Sequence, residues 1–147
     1  MTVQYVISTG STALTAATAK TMIEATTTAN VPCEWIAVDI TFDGVTASAV
    51  PVRVDFCTYA ATGTGTSYTP KKLGQAVGTA QTTAKINDTV EPTTPVILFS
   101  WFIPPTSGIM YQFPLGRELF HTTSTVQGIR LTAPATVDAI VNLTIEE

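Results

Sequence analysis

The chain has 147 residues, of which 45% are apolar, 12% are charged and 29 are threonine. A domain of this length buries about 68 to 70% of its unfolded surface, so it needs neither a metal nor a disulfide to fold. The low charge and high hydrophobicity argue against disorder, and they also argue against a long solvated helix or coiled coil. A Thr- and Val-rich globular domain remains.

The formal net charge is −4, and the basic residues are scattered apart from the pair Lys71 and Lys72. Without a cationic stripe, nucleic acid is not an expected partner. The first ten residues lack the pattern of a signal peptide, and the apolar run at 96–103 is too short for a membrane-spanning helix. We therefore expect synthesis in a cytoplasm and no membrane partner. In that compartment Cys33 and Cys57 are expected to be free thiols.

The N-terminal part of the chain predicts two strands. Residues 3–7 alternate, with Val3, Tyr5 and Ile7 on one face. Residues 20–28 are predicted to form the next strand, and a helical turn near 13–19 is the alternative. We interpret residues 1–19 as an N-terminal strand or extended arm and residues 20–147 as one sandwich domain.

The clearest alternation follows. Ile36, Val38, Ile40 and Phe42 share one face, and a second run with the same period extends from Val50 to Phe56. With Asp43-Gly44 between them, the two runs predict a β-hairpin. Pro51 lacks a backbone donor, so its strand is expected to lie at an edge or to start there.

Residues 60–95 are rich in Gly, Thr, Pro and Lys, which predicts a long loop with one short strand near 83–86. Long loops in compact domains are commonly functional or ordered by a partner. Lys71, Lys72 and Tyr68 in this segment are therefore candidate contacts to a protein partner. The alternative is a solvated loop tip.

Further runs at 96–103, 109–115, 118–121, 126–133 and 136–147 complete a set of about eight strands. The pattern predicts an all-β fold, an antiparallel two-sheet sandwich of jelly-roll type. In the run VILFSWFI at 96–103 both faces are apolar, which indicates burial against another subunit. Trp101, Phe102, Met110 and Tyr111 are the candidate oligomer interface. The alternative is that these side chains belong to the core.

Searches for a catalytic site, a cofactor site and a metal site find no matching motif. His121 is the only histidine, no nucleophile signature accompanies it, and a surface or hydrogen-bonding role is the simpler interpretation. Asp39 and Asp55 are expected to be solvated on polar strand faces. Gly63 and Gly65 lack the rest of a phosphate loop and are interpreted as flexible loop. We therefore expect that the protein is not an enzyme and that it binds neither a cofactor nor a metal ion.

Four segments together resemble a known family: EWIAVDITFDGVTASAVPVRVDF, SYTPKKL, WFIPPTSGIMYQFPLGREL and GIRLTAPATVDAIVNLTIEE. They are similar to the jelly-roll capsid decoration proteins, or head cement proteins, of tailed double-stranded DNA bacteriophages. The resemblance covers about residues 20–147 and concerns hairpins and turns. It implies a homotrimer on the outer surface of a phage head, assembled in the host cytoplasm, that binds and braces the major capsid protein.

An alternative function is a glycan- or receptor-binding jelly-roll module of a phage tail or head appendage, since jelly rolls also serve as lectins. Such a site needs exposed aromatic side chains beside polar loop residues. Only Tyr59 and Tyr68 are candidates for that role.

Overall fold

The computed structural model describes residues 2–46, 50–74, 78–122 and 124–147. These residues form two antiparallel β-sheets packed as a sandwich, which confirms the predicted all-β two-sheet fold. Thirteen strands are described, several of them short, where about eight were predicted. In chain order they are β1 (Gln4–Ser8), β2 (Thr12–Leu14), β3 (Ala19–Thr26), β4 (Cys33–Phe42), β5 (Val52–Tyr59), β6 (Thr64–Tyr68), β7 (Lys71–Lys72), β8 (Thr83–Val90), β9 (Val96–Ile103), β10 (Gly108–Gln112), β11 (Leu119–His121), β12 (Val126–Thr132) and β13 (Val137–Glu146).

The first sheet has the order β10-β4-β13-β1-β7, and β11 and β2 extend it by pairing with β4 and β13. The second sheet has the order β6-β8-β3-β12-β5-β9. Trp101 of β9 contacts Tyr111 of β10, so these two edge strands lie on one side of the sandwich. The chain passes directly from β6 to β7 at the other side.

Strand β13 shows how the sequence builds this core. Its alternate residues Val137, Ala139, Val141, Leu143 and Ile145 are all buried, as the pattern predicts. Its other residues, including Ile140, are half-buried and lie on the outer face. Because side chains alternate between faces along a strand, this one period fixes which face of the first sheet contacts the second.

The first strands belong to the same core. Of the predicted N-terminal strand or arm at 1–19, Tyr5, Ile7 and Leu14 are buried, and β1 pairs along its length with β13. Residues 13–19 contain the end of β2 and a turn in which Ala17 has a φ of 55°. The alternative of a helical turn there is not what the structure shows.

The predicted hairpin between the runs 36–42 and 50–56 is wrong. Strand β4 lies in the first sheet and β5 in the second, so the connection crosses from one sheet to the other. Both strands bury one alternating apolar face, and that pattern fits two strands facing each other across the core as well as two paired neighbours. The proline prediction agrees with the structure, because β5 starts at Val52, directly after Pro51.

The predicted long loop at 60–95 is also wrong in part. It contains β6, β7 and β8, and β8 runs from Thr83 to Val90 between β3 and β6. The Gly- and Thr-rich composition concealed these strands because Thr is a good strand residue whereas Gly usually marks a turn. Gly65 lies within β6.

Candidate interaction surfaces

Exposed apolar side chains are concentrated at one side of the sandwich. Eleven large hydrophobic side chains are exposed among the described residues, and seven of them lie on β9, on β10, on β11 or between the last two. We call this surface the apolar edge; its members are Val96, Ile97, Leu98, Phe102, Met110, Leu115 and Phe120. A soluble monomer rarely keeps so many large apolar side chains together in water, which indicates an interaction surface.

Six of the seven members of the apolar edge lie in one uncharged segment, and its two strands have unpaired edges among the described residues. Residues 92–116 contain no Asp, Glu, Lys or Arg. Within the described part of the chain, β9 pairs only with β5, and β10 pairs only with β4. Each strand therefore has one side with free N–H and C=O groups. Natural proteins usually protect such edges with charges or proline, and β9 has neither.

Aromatic side chains fill the space between the two edge strands. The rings of Trp101 and Tyr111 are 5.0 Å apart, and those of Tyr111 and Phe113 are 5.1 Å apart. Phe99 stacks at 4.4 Å on Phe56, which belongs to the core. A groove of about 410 Å³ opens over this cluster, with Arg117 and Leu119 on its wall. The aromatic cluster thus connects the apolar edge to the interior.

The four predicted interface residues all lie at this side, in two different environments. Trp101 and Tyr111 are half-buried in the aromatic cluster. Phe102 is 71% exposed beside Arg53 on the outer face of the second sheet, and Met110 is 79% exposed beside Asp39 on the outer face of the first. The structure therefore joins Trp101 with Tyr111 and separates Phe102 from Met110.

Two members of the apolar edge, Leu115 and Phe120, are not among the four interface residues that the sequence singled out. Leu115 is 98% exposed in the turn between Pro114 and Gly116. A large apolar residue between two turn formers was an available signal, because such a position is seldom buried. Phe120 lies in a strand of only three residues, for which no periodicity can be read.

A buried ion network supports β9 from the neighbouring strands. Asp55 of β5 accepts hydrogen bonds from Arg53 Nε at 2.8 Å, Arg130 at 3.0 Å and Ser100 Oγ of β9 at 2.5 Å. Burial raises the pKa of Asp55, but the hydrogen bonds from Ser100 and Arg130 outweigh this effect and hold the pKa below its usual value. Asp55 is only 1% exposed, so the prediction that it is solvated is wrong. The two arginines cover it.

The predicted partner contacts lie at the other side of the sandwich. Lys71 and Lys72 form β7, pair with β1 and are both exposed. Tyr68, at the end of β6, is half-buried and lines a cavity of about 400 Å³ together with Lys85. We call β6 and β7 the lysine edge. In the first sheet β7 is four strands from β10, or about 19 Å at the usual strand spacing.

His121 and the cysteines belong to the interior. His121 is fully buried with its ring 4.8 Å from that of Trp35, so the surface interpretation is wrong. Burial disfavours the imidazolium and lowers the pKa of His121 to about 3. Burial also raises the pKa of the Cys33 thiol to about 12. Cys33 and Cys57 are free, as predicted, and both are buried.

Only one of the two aromatic candidates for a glycan site is accessible. Tyr59 is 8% exposed, and its hydroxyl lies 3.1 Å from Thr21 Oγ1. Tyr68 is therefore the accessible member of the pair. A stacking platform for a sugar would have to be built on this single side chain.

The described residues contain no group of three His, Cys, Asp or Glu side chains arranged to hold a metal ion. They also include no helix that is long and apolar enough to cross a membrane. No protein-family model, curated protein sequence or solved structure matches the chain.

Proposed function

We propose that this protein is a virion structural protein: a capsid decoration, or head cement, subunit that binds the outer surface of a phage head and stabilises the shell. The observation that carries the proposal is the apolar edge, where seven exposed apolar side chains accompany two unpaired strand edges. A surface of this kind is suited to permanent protein contacts. The resemblance to decoration proteins supplies the biological setting.

The apolar edge is assigned to contacts between copies of the chain. Phe102 and Met110 point outward on the two sheets, while β9 and β10 offer free backbone groups between them. A second copy carries the same apolar side chains and the same free strand edges, so its surface matches in polarity. The resemblance implies that three copies close into a trimer.

The lysine edge is assigned to the major capsid protein. Lys71, Lys72 and Tyr68 lie at the other side from the apolar edge, so both contacts are available at once. A trimer presents three such edges to the shell, and linked weak contacts of this kind add by multivalency. Nucleic acid and membrane are not among the proposed partners, since the net charge is −4 and the basic residues are scattered.

Light scattering tests the assembly step. We expect a mass close to three chains of 15.5 kDa for the native protein. Phe102→Asp and Met110→Asp should each give monomers, because a charge would have to be desolvated at the interface. Leu73→Asp is the matched control, since Leu73 is an exposed apolar residue directly after β7, and its mass should stay unchanged. A monomeric native protein would contradict the assigned interface.

Co-sedimentation with expanded, undecorated capsids of tailed phages tests the docking step. We expect saturable binding of the native protein and at least tenfold weaker binding of Lys71→Glu, because the reversed charge recurs on every subunit. If the native protein stays in the supernatant with every type of capsid tested, this result contradicts the decoration function. Binding to a glycan array instead would favour the alternative receptor-binding module.

A further inference from the structure

Strand β8 contains an irregularity that places one carboxyl group inside the protein. Thr64 of β6 lies opposite Val90, and Thr66 lies opposite Ile86, so the single residue Gly65 spans three residues of β8. Asn87 in that stretch has a φ of 56°. The next residue, Asp88, is only 3% exposed. A β-bulge of this kind commonly redirects a side chain.

The two glycines of TGTGTS make room for this carboxyl group. A Cβ atom at Gly63 would lie 2.5 Å from Asp88 Oδ2, and a Cβ atom at Gly65 would overlap Asp88 Oδ1. The carboxyl group of Asp88 therefore lies directly against the β6 backbone. The interpretation of Gly63 and Gly65 as flexible loop is wrong, because both are required by a packed contact.

Asp88 faces a second buried carboxyl group. Glu24 of β3 is 1% exposed, and its carboxyl group lies beside Gly63, the residue against which Asp88 Oδ2 also packs. Neither carboxyl oxygen of Asp88 has a hydrogen-bond partner within the described residues. Glu24 Oε2 accepts a hydrogen bond of 2.7 Å from the N–H of Gly63. Two buried carboxylates in this position repel each other when both are ionised, and a proton on one of them removes the repulsion.

The surrounding charges favour one proton on the pair. Lys85 Nζ lies 3.8 Å from Glu24 Oε1, and Lys20 donates a hydrogen bond of 3.2 Å to the backbone oxygen of Asp88. Glu91, just after β8, adds negative charge, while Gly65 of β6 and Gly63 just before it lie against Asp88 and carry no charge. Burial and the charge of Glu24 raise the pKa of Asp88 to about 7, and Lys85 limits the increase.

We propose that Glu24 and Asp88 form a proton-dependent latch that holds β6, and with it the lysine edge, on the second sheet. In the latched state Asp88 is protonated and donates its O–H to Glu24. When the proton leaves to solvent, two buried negative charges face each other across β3 and β8, and β6 separates most readily because it is the edge strand. This latch does not depend on the proposed function.

The sign of the pH dependence follows from linkage. The folded pKa of Asp88, about 7, lies above its ordinary value of 3.8. Between these values the folded state holds a proton that the unfolded chain has lost, so stability falls as pH rises from about 4 to about 7. His121 acts in the opposite direction below about pH 6.5, because it is buried without its proton. Comparison with a variant removes that contribution.

Asp88→Asn is the decisive variant, because its amide donates to Glu24 at every pH. Both proteins are unfolded with urea between pH 4 and pH 8. The unfolding equilibrium constant of the native protein, divided by that of the variant, should rise by up to about tenfold per pH unit, and the rise should end near pH 7. Asp39→Asn is the control, since Asp39 accepts only a 3.2 Å bond from Asn142 on an outer face. Its curve should run parallel to that of the native protein. Parallel curves for Asp88→Asn would overturn the latch.

Two measurements keep the proposal testable if Asp88→Asn fails to fold. The carboxyl carbon of Asp88 in the native protein should titrate near pH 7 by NMR, and a midpoint below pH 5 would overturn the proposal. Hydrogen exchange, corrected for the intrinsic rate, measures the protection of the backbone amides. The protection factors of the β6 amides should be at least tenfold lower at pH 8 than at pH 5.5, and those of the β9 amides should be the same at both pH values. Equal protection of β6 at the two pH values would also count against the latch.

Discussion

The apolar edge and the lysine edge end the same two sheets, but they differ in what covers the interior. At the apolar edge, aromatic side chains from both sheets meet, with Trp101 5.0 Å from Tyr111. At the lysine edge, β6 packs on a buried carboxyl pair, and the outermost strand of the first sheet is two lysines long. The first arrangement leaves seven large apolar side chains exposed, whereas β6 and β7 themselves contain none.

The difference shows two ways to end a β-sheet. A short, charged strand such as β7 discourages a further strand from pairing, because the lysine would lose its hydration. Strand β9 has eight residues, none of them charged, and its free backbone groups remain suited to another strand. The same molecule thus protects one edge from pairing with a further strand and leaves the other open to such pairing.

The largest expected effect tests what holds β9 in place. Asp55→Ala removes the acceptor shared by Arg53, Arg130 and Ser100 and leaves Arg130 largely buried without its partner. We expect a loss of about 3 kcal/mol in the free energy of unfolding, the lower end for a broken buried ion pair, because Arg53 is 44% exposed. Urea denaturation at pH 7 measures it.

The control for Asp55→Ala is Asp39→Ala, which removes a single hydrogen bond on an outer face. It should cost less than about 1 kcal/mol. Equal losses for the two variants would mean that the network does not support β9 more than any ordinary surface carboxylate does.

A smaller effect separates stability from association within the apolar edge. Trp101→Ala removes ring contacts with Phe56, Phe99 and Tyr111 and should cost about 2 kcal/mol, less than a fully buried tryptophan. Phe102→Ala should change the stability of the monomer by less than about 0.5 kcal/mol, since Phe102 is 71% exposed. Denaturation at concentrations where the protein is monomeric measures both. A larger loss for Phe102→Ala would assign Phe102 to the fold instead of the interface.

The sequence predicts strands β9 and β13 because their signals are local. A run of eight residues with two apolar faces identifies β9, and strict alternation identifies β13. Both patterns lie within one strand, where the spacing of side chains decides burial. The pairing of strands is not local, which explains why β4 and β5 were assigned to one hairpin although they lie in different sheets.

The chemistry of the lysine edge was hidden for the same reason. Glu24 and Asp88 are 64 positions apart, and only the β3–β8 pairing and the bulge at Asn87 bring their carboxyl groups together. Of the glycines that accommodate Asp88, Gly65 belongs to a third strand and Gly63 lies just before it, and in the sequence they indicate a loop. Asp55, which looked solvated by alternation, is buried because two arginines fold over it.

The smallest expected effect tests whether charge protects the lysine edge. Lys71→Val places an apolar β-branched side chain on β7, opposite Val6 of β1, in the outermost strand of the first sheet as described. We expect a change of less than about 0.5 kcal/mol in the stability of the monomer, because Lys71 is exposed. The larger consequence is association: removal of the charge should permit pairing through β7, so sedimentation velocity should detect species above the native oligomer at high protein concentration. Thr41→Val adds the same side chain to β4, which is paired on both sides, and should add no such species. If both variants sediment like the native protein, the two-residue length of β7 protects this edge without help from the charge of Lys71.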